Sequence, residues 1–143
     1  MTAVPMRVGT TAQRLLLAIL AISAAFVGGW ATFAPHSFYD SFPGSGHHWV
    51  SMDGPYNEHL VRDVGGLYLA LLVVSVWALA RPALSRLAGA SWLIFSIPHL
   101  MYHLGHLHMF STGDKVGESV SLGATALFAA ILLIAPSRAE RNV

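Results

Sequence analysis

The chain has 143 residues, 55% hydrophobic and only 10% charged, with a formal net charge of +1. A soluble domain carries roughly 25% charged residues to hydrate its surface, so this composition argues against one, and the near-balance of charge leaves no electrostatic footprint for nucleic acid. Cysteine is absent, which removes disulfides, thiolate metal sites and thiol catalysis, whereas eight histidines supply material for metal or proton chemistry.

The first expected helix spans about 14–34. Its core, Leu15–Ala34, is twenty residues without a charge, close to the about 20 needed to cross a bilayer. Arg7 and Arg14 precede it, as they would precede a signal peptide. The apolar run exceeds the usual signal core of about 7–15 residues and no A-x-A site follows, so it is expected to stay as a spanning helix.

Residues 35–57, "PHSFYDSFPGSGHHWVSMDGPYN", form the longest connection. Pro and Gly rule out one continuous helix. Phe38, Tyr39, Phe42, Trp49 and Tyr56 make it too aromatic for a flexible linker. Trp and Tyr prefer the membrane interface, so an ordered loop lying on the headgroups is expected. A sharper reading makes it a lid, in which case His36, His47 or His48 should touch something.

The second helix is expected over 58–80, with Asn57 as N-cap and Glu58 at the positive end of the helix dipole. The third is expected over 87–110 and the fourth over 118–136. In hydrocarbon a helix satisfies its own backbone, so the chain reads as all-α, a single integral-membrane domain with an up-down-up-down four-helix bundle. Arg7, Arg14, Arg81, Arg86, Arg138 and Arg141 fall on one side; Arg62 and Lys115 fall on the other. That asymmetry places both termini in the cytoplasm and the 35–57 loop outside, in a multi-pass protein of the cell membrane.

The stretch "SIPHLMYHLGHLHMF", residues 96–110, holds four histidines at the end of an apolar run. At 100° per residue, His99, Tyr102, His103 and His106 share a helix face, and His108 points away. On the second helix, His59, Arg62, Asp63 and Gly66 share a face. The short 81–86 connection makes these helices antiparallel neighbours and sets His59 and Asp63 level with His103 and His106, with His99 one turn deeper. Glu118 joins at the same height.

His59, Asp63, His99, His103, His106 and Glu118 therefore make a candidate metal shell. Mixed imidazole and carboxylate suits zinc, iron, manganese or copper. Haem, which needs axial histidines on two helices at one height, fits less well. The pair "HLMYH" has no intervening Glu, so the zinc-protease mechanism is not supported. The plain alternatives are a hydrogen-bonded polar network that fixes helix register, or proton-linked behaviour. Gly65 and Gly66, Gly28 and Gly29, and Gly123 read as positions for close helix approach.

The runs "FPGSGHHWVSMDGPYNEHLVRDVGGLYLAL" and "IPHLMYHLGHLHMF" resemble a family of small uncharacterised bacterial four-helix membrane proteins, and more distantly the DoxX-like group. The resemblance covers nearly the whole chain and implies the same fold and topology. DoxX-like members are associated with quinone or thiosulfate oxidation systems, but no motif here carries that activity across. The expected function is a membrane protein with a metal or cofactor site near the extracytoplasmic face, with redox chemistry among its uses. The alternatives are a membrane enzyme using the metal, and an accessory subunit bound to other membrane subunits and to lipid.

Overall fold

The computed structural model describes residues 10–135. Arg7, Arg138 and Arg141, and the final residue of the fourth expected helix, lie outside the described residues. The described chain is all-helical, with α1 at Thr10–Phe33, α2 at Pro35–Ser41, α3 at Glu58–Ala80, α4 at Ser85–His106 and α5 at Thr112–Ile134. Short 3-10 turns at Pro82–Leu84 and Leu107–Met109 flank α4. Three helices, α1, α3 and α5, are long and apolar enough to cross a membrane. The expected four-helix membrane bundle is thus met to the extent of three such helices. The fourth, α4, carries Ser85, Ser91, Ser96, His99, His103 and His106 within 22 residues, and these lower its apolarity.

Local chemistry explains the helix ends. Asn57 caps α3, its side chain accepting from the Leu60 N–H at 3.2 Å. Ser111 does the same for α5 through the Asp114 N–H at 3.2 Å, and the Asp114 carboxylate lies in the first turn, where the helix dipole favours it. This cap starts α5 at Thr112, ahead of the 118 expected from the apolar run. Pro35 opens α2 at N1, where its missing N–H costs nothing. The 35–57 connection therefore begins with a helical turn and then reverses through Gly44 and Gly46, at φ +107° and +82°.

The long helices pack as two close pairs, α1 on α3 and α4 on α5, with α3 meeting α4 along a looser seam. Glycine sets the spacing. A Cβ on Gly65 would collide with the backbone and hydroxyl of Thr32, and one on Gly28 would lie 3.0 Å from the Leu69 nitrogen. In the second pair, a Cβ on Gly89 would lie 2.6 Å from the Leu133 nitrogen and 2.7 Å from the Ala129 oxygen. Gly29, Gly66 and Gly123 face open space. Such small-residue contacts let helix backbones approach where hydrocarbon gives no hydrophobic drive to associate.

The core joins Leu17 and Leu20 of α1, Tyr68 and Leu71 of α3, Trp92 of α4 and Leu132 of α5. Trp92 is fully buried and its indole N–H donates to the Ser75 hydroxyl at 2.9 Å, which donates in turn to the Leu71 carbonyl at 2.8 Å. That relay matters because a buried indole N–H without a partner is costly. Ile22, Phe26, Val73, Trp77, Ile94 and Leu127 are exposed on the outside of the long helices. Their exposure is the pattern of helices whose surroundings are apolar.

Candidate functional site

The loop between α2 and α3 is ordered by its own contacts. The Tyr39 hydroxyl donates to the Gly54 carbonyl at 2.6 Å, and His48 Nδ1 meets the Asp40 carbonyl at 2.5 Å. The Trp49 indole N–H donates to Asp114 Oδ1 at 2.8 Å, and His47 Nδ1 lies 2.5 Å from the same oxygen. The Ser111 hydroxyl donates to Asp114 Oδ2 at 2.6 Å. Trp49 also lies against Gly117, where a Cβ would sit 3.2 Å from the indole ring. Asp114 is thus the point at which the loop is fastened to α5.

Beneath this cap lies a cavity of about 350 Å³. Val27 of α1, Val61, Val64 and Tyr68 of α3, Trp92 of α4 and Leu122 of α5 form its apolar walls, and Phe38, Phe42, Trp49 and Val50 form its roof. Its polar end is built by Asp53, His99, His103 and Glu118. His103 Nδ1 is 2.7 Å from Glu118 Oε1, an ion-pair contact without the alignment of a full hydrogen bond, and 3.8 Å from Asp53 Oδ2. The Glu118 side chain is 3% exposed, His103 14% and Asp53 21%, so the three groups are largely withdrawn from water. Asp53 Oδ1 and Glu118 Oε2 are buried with no hydrogen-bond partner. Burial pushes the Asp53 carboxyl above its usual range, against the pull of His103 and His106.

His99 lies one turn deeper on α4. Its ring stacks on Phe95, with centroids 5.0 Å apart and planes at 23°, and meets His103 edge-on at 4.6 Å.

Of the six residues expected to form one shell, the structure brings His99, His103 and Glu118 to one place. His59 and Asp63 pair with each other at 3.3 Å on the outside of α3, 82% and 61% exposed, and do not reach His103. His106 turns to its own helix, with Nδ1 2.7 Å from the Tyr102 carbonyl and its ring stacked on Tyr102 at 4.2 Å. His59 and Asp63 lie on an exposed face of α3, away from the cavity that His103 borders. The face of α3 that packs inward carries Val61, Gly65 and Tyr68, because Gly65 must meet α1. Among the described residues, no group of three or more His, Cys, Asp or Glu is placed to hold a metal ion. Asp53 escaped notice in the sequence; its signal was a carboxylate in an aromatic loop, followed by Gly54 and Pro55. Of the loop histidines, His47 touches Asp114, and His36 pairs with Asp40 at 2.8 Å on the surface.

An apolar chamber with a concentrated acid–base end can hold an elongated molecule and exchange a proton or hydrogen bond with one end of it. Residues 12–103 match the model of a protein family, described as a domain of unknown function, DUF4345. No curated protein and no solved structure matches the chain.

Proposed function

We propose, for a chain that belongs to the DUF4345 family of unknown function, that it is a membrane-embedded binding protein for a small amphiphile. The molecule has an apolar body and a hydrogen-bond-donating head group, best a protonated amine. One observation carries this reading: two buried carboxyl oxygens, Asp53 Oδ1 and Glu118 Oε2, lack partners at the end of a mainly apolar cavity. A buried acceptor left unpaired is costly, and a donor head group would relieve both. Two carboxyl groups share a single imidazole partner here, which leaves acceptor oxygens for one more donor group.

In this reading α1, α3, α4 and α5 all cross the bilayer, up, down, up and down, with both termini in the cytoplasm. The 22 residues of α4 extend about 33 Å, enough to span the hydrocarbon. The cavity then occupies the outer half of the membrane, with the loop as its extracytoplasmic cap. The metal expected at His59, Asp63, His99, His103, His106 and Glu118 draws no support from this geometry, and a haem has no facing pair once His59 turns outward. Lipid is the surrounding partner; a role as an accessory subunit is the competing outcome.

The test uses the full chain in lipid nanodiscs, titrated with bromododecylamine, bromododecanol or bromododecane while tryptophan fluorescence is read. The amine should give a saturable quenching component on top of the linear quenching of lipid-facing Trp77. Asp53→Asn with Glu118→Gln should remove that component. Only linear quenching in the wild type, or a saturable component indifferent to both substitutions, would overturn the reading in favour of a cluster that merely fixes helix packing.

A further inference from the structure

The cavity does not stop at the closed seams of the fold. Along α3, Leu60, Val64 and Leu67 recur at helical spacing, and all three are exposed. Leu60 and Val64 nonetheless line the cavity. The cavity wall is therefore open on this side, towards the surroundings of a helix long and apolar enough to cross a membrane. A second, shallower groove continues along the same seam, formed by Leu67 of α3 with Ser91, Ile94, Phe95, Pro98 and His99 of α4. His99 borders both the groove and the cavity, and it is held there by its stack on Phe95.

The other side of the cavity is closed differently. Towards water, the loop is tied down through Asp114 by His47, Trp49 and Ser111. Neither Leu67 nor Ile94 is tied to a partner across the groove by any polar group, and both are exposed, Ile94 at 78%. Pro98 lies at the same level and lacks the backbone N–H that would fasten α4 to its preceding turn. A chamber shut by hydrogen bonds on its wet face and by loosely packed apolar side chains on its lipid face admits solutes more readily from the lipid.

Building on the amphiphile-binding reading, we infer that the ligand comes from the bilayer itself. It slides laterally between α3 and α4 along the Leu67–Ile94 groove and passes the stacked Phe95–His99 pair, which forms the threshold. The ligand class narrows accordingly, to membrane-dissolved amphiphiles that partition into lipid before they bind.

The probe is again bromododecylamine, pre-partitioned into vesicles and mixed in a stopped-flow device with vesicles holding the full-length protein, so that the rate of saturable tryptophan quenching is read. The variant Leu67→Phe with Ile94→Phe fills the groove outside the cavity. It should slow association about tenfold while leaving the equilibrium quenching close to wild type, since rate and affinity separate when only the path is obstructed. Ile94→Ala should speed association. Asp114→Ala, which releases the cap, should leave the rate unchanged. A rate that ignores the groove variants but rises in Asp114→Ala would overturn the lateral route in favour of access from water, while leaving ligand binding intact. Loss of saturable quenching in the wild type would instead overturn the binding reading and the route together. Should the double variant fold poorly, Ile94→Ala alone decides, because an unchanged rate there contradicts a lipid-side threshold.

Discussion

His103 on α4 and Glu118 on α5 meet at 2.7 Å, and this single contact joins the two helices at the polar end of the cavity. The pair has little water around it. Removing one partner should leave the other uncompensated, so His103→Leu should cost on the order of 3 kcal/mol. Replacing both, His103→Leu with Glu118→Leu, should cost clearly less than the sum of the single changes. Thermal unfolding of all four proteins in one nanodisc preparation gives the double-mutant cycle, and simple additivity would contradict the coupling.

Gly89 is where α4 and α5 touch. A methyl group there would lie 2.6 Å from the Leu133 nitrogen, a contact that only a backbone shift can relieve. Gly89→Ala should therefore destabilise by about 1–3 kcal/mol, the usual cost of overpacking. Gly66→Ala, whose added methyl meets nothing, should be neutral or stabilising by up to about 1 kcal/mol through helix propensity. The unfolding temperature should fall in Gly89→Ala and should not fall in Gly66→Ala.

The Asp53 carboxyl should give the protein a pH signature. Burial raises its folded value above the ordinary 3.8, so the folded protein holds this proton more tightly than the unfolded chain does. Its contribution to stability is then fully present below 3.8 and is lost as pH rises through the folded value. Asp53→Asn should flatten the stability profile across that window. For ligand, the sign reverses: amine binding should strengthen as pH rises through the same window, because the ionised carboxylate is the acceptor. Chemical unfolding and amine titration at a series of pH values test both directions.

Asp114 gathers Trp49, His47 and Ser111 on its two oxygens. Asp114→Ala should free the cap. Hydrogen exchange across residues 44–54 should accelerate and acrylamide should reach Trp49 more readily, with α1 and α3 unaffected. If exchange stays slow, the aromatic packing of Phe38, Phe42 and Trp49 holds the cap alone.

The chain has no cysteine, so single cysteines report topology without background. Ser45→Cys in the cap and Ala83→Cys in the turn after α3 should react with an impermeant maleimide from opposite sides of the membrane. Labelling from one side would contradict the proposed crossing of α3.

Helix content and apolar character were legible in the sequence because hydrocarbon demands internally satisfied backbone and because long uncharged runs are hard to read otherwise. The cap at Asn57 was legible too, whereas Ser111 was passed over because the apolar run begins only after Glu118. The site was half legible. His103 and Glu118 could be matched by height, but height says nothing about which way a helix is turned about its axis. That rotation is set by Gly65 against Thr32 and by Gly89 against Ala129, contacts between residues far apart in sequence. They turn His59 and Asp63 outward and His103 inward. Asp53 was hidden for a different reason: a loop residue acquires its position from the whole cap, and no periodicity announces it.

Asp114 and Glu118 are separated by one turn of α5. One holds the cap, the other belongs to the acid–base cluster, and the rigid turn between them spans about 6 Å. The outer loop and the polar end of the chamber are therefore mounted on the same strut. On the proposed reading, a shift of α5 that carried Glu118 towards a guest would carry Asp114 with it, and the roof tied to Asp114 would follow. A lid and a binding group so geared need no separate signal between them; by reciprocity, prising the roof open must also change how firmly the guest is held.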